Sequence, residues 1–300
     1  MKNIYTNILE DNKKKKLLAL MLAMLMVLSL AACGSKETAD TPDTSDTSNS
    51  QEETTITTVT PGKLTVATSP DFAPYEFYAI DDAGNASLAG FDLALAGYIA
   101  DYLGLELEVI PMDFDGVLAE LAAGNVDLGV AGLSPDPSRM EAMDFSDIYY
   151  EGGQSLCVLA ANKDKWASLS DLNDPSLTIG AQLASIQYDL AVENTPNADI
   201  VTLAKVTDVV SEILGGKLDA GYIETAVANA YAKNYPDLYV AFDVPYDVAG
   251  SAVGVVKGNA ELLAGVNEAI AAALSDGSMA AFVAEANELA SGSIYEGLLD

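Results

Sequence analysis

The chain has 300 residues, half of them hydrophobic, with 45 acidic against 14 basic side chains and a formal charge of −31. This length and apolar fraction suffice for one large core or two modest ones. So acidic a chain lacks the basic patches that release counterions from phosphates, which excludes nucleic acid as a partner.

The N-terminus departs from this balance. Five lysines and two acids fall in the first 32 residues, leaving 9 basic and 43 acidic groups in the rest, a net of −34. Such a surface is soluble and gains no attraction to anionic lipid. "KKKK" (13–16) precedes the uncharged run "LLALMLAMLMVLSLAA" (17–32), a basic region, an apolar region and small exit residues, as in a secretory signal. The run is short for the ~20 residues of a membrane span. Its "LAAC" ending resembles a bacterial lipobox, which implies that Cys33 is lipidated, anchors the chain to the membrane and becomes the mature N-terminus. Residues 33–61 are rich in Ser, Thr, Asp and Glu and read as a disordered tether, because they cannot bury enough apolar surface to offset their ordering entropy. With Cys33 assigned, Cys157 has no partner, so a disulfide framework is excluded and "SLCVLA" reads as a buried apolar run.

From Lys63 onward strands and helices alternate. "KLTVATS" predicts a strand. "GFDLALAGYIADYLG" predicts a helix with Leu93, Ala96, Ile99, Ala100 and Leu103 on one face and Gly104 as its stop. "LELEVIP" alternates as a strand, "DGVLAELAAGN" predicts a helix closed at Gly124, and "VDLGVAG" predicts a buried strand. The chain is α/β. "ELAAGNVDLG" (120–129) is echoed by "EILGGKLDAG" (212–221), each a helix end, glycine and strand. Two lobes built on one plan are expected, with ligand-facing loops beyond the strand ends. That places "AGLSPDPSR" in one lobe and "IETA" in the other.

The only arginine, Arg139, stands in "SPDPSR". Asp136 and Pro137 predict a helix start there, which puts Arg139 in a first turn, at the positive pole of the helix dipole. A partner anion would reverse that penalty. Surface pairing with Asp136, Glu141 or Asp144 is the alternative.

In order, "LTVATSPDFAPYEF", "GFDLALAGYIA", "MDFDGVLAELAAGNVDLGVAGLSPDPSRMEAMDFSDIYY", "IGAQLAS" and "GGKLDAGYIE" resemble the polar amino-acid family (family 3) of extracellular solute-binding proteins of ABC transporters, over residues 61–300. The resemblance implies a type II periplasmic-binding-protein-like fold: two lobes, each a mixed sheet flanked by helices, joined by a two-segment hinge near 149–154 and 248–252. Lobe one is then 62–151 plus 252–300, and lobe two 152–251. It implies a monomer on the outer face of the cell membrane that captures a free amino acid by clamshell closure and delivers it to permease subunits, without cofactor or metal. It also implies a site. Arg139 takes the ligand carboxylate, helped by Ser134, and Gly132 contributes backbone. Ser185 supplies a hydroxyl and N–H, Glu224 the acid for the ammonium, and Phe72 and Phe114 sandwich the side chain.

Ser69 stands where members that bind cationic side chains often carry Asp, and Asp71 lies two residues on. Ala184 replaces a common glycine, and Ile186 a frequent Ser/Thr. The same fold hosts dehydratases of cyclic amino-acid precursors, the competing class. The chain has no histidine and no phosphate loop, and no general acid/base couple stands out among its acids, so no enzymatic activity is expected.

Overall fold

The structure, a computed structural model, describes residues 56–248 and 250–292. The expected signal segment, Cys33 and the first part of the expected tether lie outside the described residues.

Lobe one opens with β1 (Lys63–Thr68) and a small antiparallel layer of β2 (Asp71–Phe72), β3 (Glu76–Ile80) and β4 (Ala86–Ala89). Helix α1 (Phe91–Leu103), β5 (Glu106–Pro111), α2 (Phe114–Ala123), β6 (Leu128–Gly129) and β7 (Met143–Tyr150) follow. Lobe two comprises β8 (Gln154–Leu159), β9 (Thr178–Gln182), α3 (Ile186–Asn194), β10 (Asp199–Leu203), α4 (Val206–Leu214), β11 (Ala220–Glu224), α5 (Thr225–Asn234) and β12 (Leu238–Val244). The chain then returns as β13 (Ser251–Val256), α6 (Ala260–Ser275) and α7 (Ser278–Ala290).

The two main sheets share one plan. Their orders are β5-β1-β6-β13-β7 and β10-β9-β11-β8-β12. In each, the second strand pairs in parallel with both neighbours, and the fourth pairs antiparallel with both of its own. The ten-residue echo is the sequence trace of this repetition: β6 and β11 are the middle strands, each entered from a helix that ends beside a left-handed glycine, Gly124 or Gly216. Both lobes therefore aim the loops after these strands at one cleft.

Two predicted elements differ. Helix α1 buries Phe91, Leu95, Ala96, Ile99 and Ala100, with Leu93 only partly covered; its face is rotated toward Phe91, whose ring packs on Tyr75 at 4.3 Å. The helix at Pro137 does not form. Residues 137–142 are turns, in which the Ser138 N–H and hydroxyl donate to Asp136 Oδ1 at 2.8 and 2.6 Å. Strand β7 begins at Met143, too soon for a helix to recover its nucleation cost. Arg139 therefore faces no helix-dipole penalty.

The start of the described chain lies against lobe one. The Val59 N–H donates to Asp127 Oδ1 at 2.7 Å and Asn259 Nδ2 to the Thr57 carbonyl at 2.8 Å, while Ile56 packs on the core. Cys157 is free and fully buried in β8, and burial pushes its thiol up to about 12.

Candidate functional site between the lobes

Arg139 reaches across the cleft from the turn segment. Its Nη2 donates to the Ala184 carbonyl of lobe two at 3.1 Å and its Nη1 to the Ser134 carbonyl at 3.3 Å. The guanidinium lies over the Phe114 ring, 5.6 Å from the centroid, an aromatic face that favours a cation. Burial pulls its pKa below the ordinary value. Among the described residues no carboxylate lies within ion-pair distance of it. The cation is thus held by carbonyl dipoles and a ring, with capacity left for an anion.

Glu224 stands on the other lobe, as the last residue of β11 and the N-cap of α5. Its Oε2 accepts the Val227 N–H at 2.9 Å. Its Oε1 is buried and has no partner. Burial pushes the carboxyl up to about 7, against the opposing effect of the hydrogen bond from Val227. An acceptor left unpaired in the interior is costly, and an ammonium group would satisfy it.

The connecting wall is aromatic. Phe72 packs on Tyr75 at 5.3 Å, and Tyr75 continues to Phe91 and Tyr150. Gly132 has φ +56, and a Cβ there would come within 2.8 Å of Phe72 Cε1, so only glycine lets the loop lie on that ring. Its N–H donates to Asp92 Oδ2 at 2.8 Å, while the Tyr149 hydroxyl donates to Oδ1 at 2.7 Å. Asp92, at the start of α1, thereby ties the loop after β6 to β7, and burial pushes it up to about 6. Beside it Glu76 is fully buried with neither oxygen partnered. Burial first, then the charges of Asp92 and Asp71, hold Glu76 well above the carboxylate range.

The remaining expected site residues are placed as follows. Ser134 is buried beside Arg139. Phe114, the first residue of α2, is under the guanidinium. The Ser185 hydroxyl donates to the Gln182 carbonyl at 2.7 Å and accepts the Tyr188 N–H at 3.2 Å, so it is engaged as the N-cap of α3. Ser69 Oγ donates to Asp71 Oδ1 at 2.9 Å; Asp71 turns toward lobe two. Sequence reasoning passed over Tyr75, Asp92, Gln182 and Tyr246, whose hydroxyl donates to Asp136 Oδ2 at 3.5 Å across the lobes. Asp92 alone left a signal, an acid in the buried first turn of "GFDLAL". Ala184 has φ +60, the conformation for which glycine is the common residue.

A two-lobed α/β body built from two sheets of the same plan, joined where the chain crosses twice, is the architecture of a solute receptor. The chain belongs to the bacterial extracellular solute-binding proteins, family 3, whose profile matches residues 64–285, and it is the amino-acid-binding component of an ABC importer. It is similar to the arginine-binding extracellular protein ArtP of Bacillus subtilis, 36% identical over 213 residues, 69% of this chain and 79% of that one. A crystal structure of an amino-acid ABC-transporter substrate-binding protein from Streptococcus pneumoniae bound to L-arginine superposes with a TM-score of 0.71 at 35% identity, covering 76% of this chain and 94% of the other. A more distant relative is cyclohexadienyl dehydratase of Pseudomonas aeruginosa, 25% identical over 192 residues, 64% of this chain and 70% of that one.

Proposed function

We propose that the cleft takes a free amino acid as a zwitterion, its carboxylate on Arg139 and Ser134 and its ammonium on Glu224. The observation that carries this reading is a pair of unmatched groups, a half-buried arginine with no carboxylate in ion-pair contact on lobe one and the buried, unpartnered Glu224 Oε1 on lobe two. Each is expensive alone, and one zwitterion answers both when the lobes shut. Contacts made only in the closed form let the ligand bias an open–closed equilibrium. The side chain lies along Phe72 and Phe114. The arginine-binding relatives support a positively charged side chain. L-arginine is the first ligand to test. The loaded receptor delivers its cargo to permease subunits as a monomer held at the outer membrane face by lipid on Cys33.

The test is a thermal-shift screen against the twenty amino acids followed by calorimetry. A tight ligand raises the melting temperature with the logarithm of its concentration over Kd. No shift with any amino acid refutes the reading, and turnover of the bound compound makes the protein a dehydratase-like enzyme. For the anchor, the Cys33→Ser variant is expected in the soluble fraction. Its persistence in membranes would refute lipidation.

A further inference from the structure

We infer that Asp71 is a closure latch: a lobe-one carboxylate that caps the first turn of α4 in lobe two only when the cleft is shut. Three contacts from lobe two converge on this one residue. The Val206 N–H, the first of α4, donates to Asp71 Oδ2 at 2.5 Å. Gln182 Nε2 approaches the same oxygen at 3.4 Å. The Tyr231 hydroxyl of α5 donates to the Asp71 carbonyl at 3.1 Å. The other oxygen, Oδ1, is held from within lobe one by Ser69.

The sequence around α4 fits this arrangement. Helix α4 begins after Lys205, and no side chain of its own caps it. Its leading amides therefore need an outside acceptor once buried, and Val206 is buried. An anion at a helix N-terminus gains from both the free N–H groups and the dipole. Asp71 is the acceptor in place, and the partner comes from the opposite lobe. This bond exists only in the closed arrangement, so its free energy belongs to closure and not to the stability of either lobe.

The latch is distinct from a ligand contact. Both Asp71 oxygens already accept hydrogen bonds from the protein, and its residue is buried against lobe two. Asp71 is therefore a positioning residue whose loss weakens closure around any ligand. The inference rests on the amino-acid-receptor reading for its ligand, although the lobe contacts themselves are ligand-independent.

The experiment uses the full chain with nitroxide labels at Tyr102→Cys and Tyr239→Cys, exposed positions on the two lobes, and electron–electron distance measurements. The probe is whichever of the twenty amino acids binds most tightly in the screen. At saturation the unmodified latch is expected to show one short distance. Asp71→Ala, which leaves no acceptor, should restore a long-distance population and weaken affinity about tenfold to a hundredfold, the equivalent of one charge-assisted hydrogen bond, through faster dissociation. Val206→Pro deletes the donor from the other side, at a first helical position that tolerates proline after an extended residue. The Asp71→Ala, Val206→Pro double variant should then bind no more weakly than the worse single variant. Additive losses, or an Asp71→Ala variant that remains fully closed at saturation, overturn the latch. If no amino acid binds, the receptor reading falls. The latch is then judged on the ligand-free distance distribution, where Asp71→Ala must deplete the short distance and an unchanged distribution overturns it.

Discussion

Replacing Arg139 by methionine separates binding from stability. The guanidinium makes two hydrogen bonds to carbonyls, at 3.1 and 3.3 Å, and lies 5.6 Å from the Phe114 centroid. Two neutral-acceptor bonds to a cation and one cation–π contact of ~0.5–1 kcal/mol are set against the partial desolvation of a half-buried charge with no carboxylate in ion-pair contact. Methionine keeps the stem packing over Phe114 and removes that desolvation. Ligand-free stability should therefore stay within about 1 kcal/mol, or about 2–4 °C for a body of this size. Binding is another matter. A bidentate carboxylate pair comprises two charge-assisted bonds of ~1.5–3 kcal/mol each, so affinity should drop by two to four orders of magnitude. Differential scanning calorimetry reads the first effect and isothermal titration with the ligand the second. Affinity within about threefold of the parent would show that Arg139 does not hold the carboxylate. A loss of more than about 5 °C with binding intact would make the arginine a structural tie between Ser134 and Ala184.

Three more perturbations follow from the same geometry. Burial holds Glu224 at about 7 instead of its ordinary 4.5, so in the ligand-free protein the stability due to its protonated form is full below about 4.5 and lost as pH rises through about 7. A bound ammonium needs the carboxylate, so affinity should weaken about tenfold from pH 8 to pH 6, and Glu224→Gln should flatten that slope; an unchanged slope would remove Glu224 from the ammonium site. Gly132→Ala must fit a Cβ 2.8 Å from Phe72 at φ +56, and is expected to lower stability by ~1–3 kcal/mol in chemical denaturation and to weaken binding. Ala184→Gly relieves a left-handed alanine and should raise the unfolding free energy in chemical denaturation by up to ~1 kcal/mol, net of the entropy glycine adds to the unfolded chain; a lowered unfolding free energy would show that the loop is not strained.

Much of the body was legible in its local patterns. The strands at Lys63 and Glu106, the helices from Phe91 and Phe114, and the helix–glycine–strand echo are decided by periodicity and by caps acting over a few residues. Arg139 stood out as the one guanidinium of an acidic chain, although surface pairing with Asp136, Glu141 or Asp144 was an open alternative. The rotation of α1, the turns at 137–142 and the role of Asp71 were not legible. Each depends on a group distant in sequence: the Tyr75 ring against Phe91, the pairing of β7 from Met143 with β13, and the α4 amide 135 residues beyond Asp71.

Composition, period and spacing thus determined an α/β chain with two similar halves, because those signals are local and additive along the chain; the receptor reading came from the family resemblance. Only the tertiary structure decided which donors each buried acid meets. Asp71, Asp92 and Glu224 are alike as residues in a sequence. Folding gives Asp71 to the amide of α4, Asp92 to Gly132 and Tyr149, and leaves one oxygen of Glu224 unmatched. A carboxylate's role follows from burial and from the donors that reach it, and both are set by the meeting of chain segments far apart in sequence.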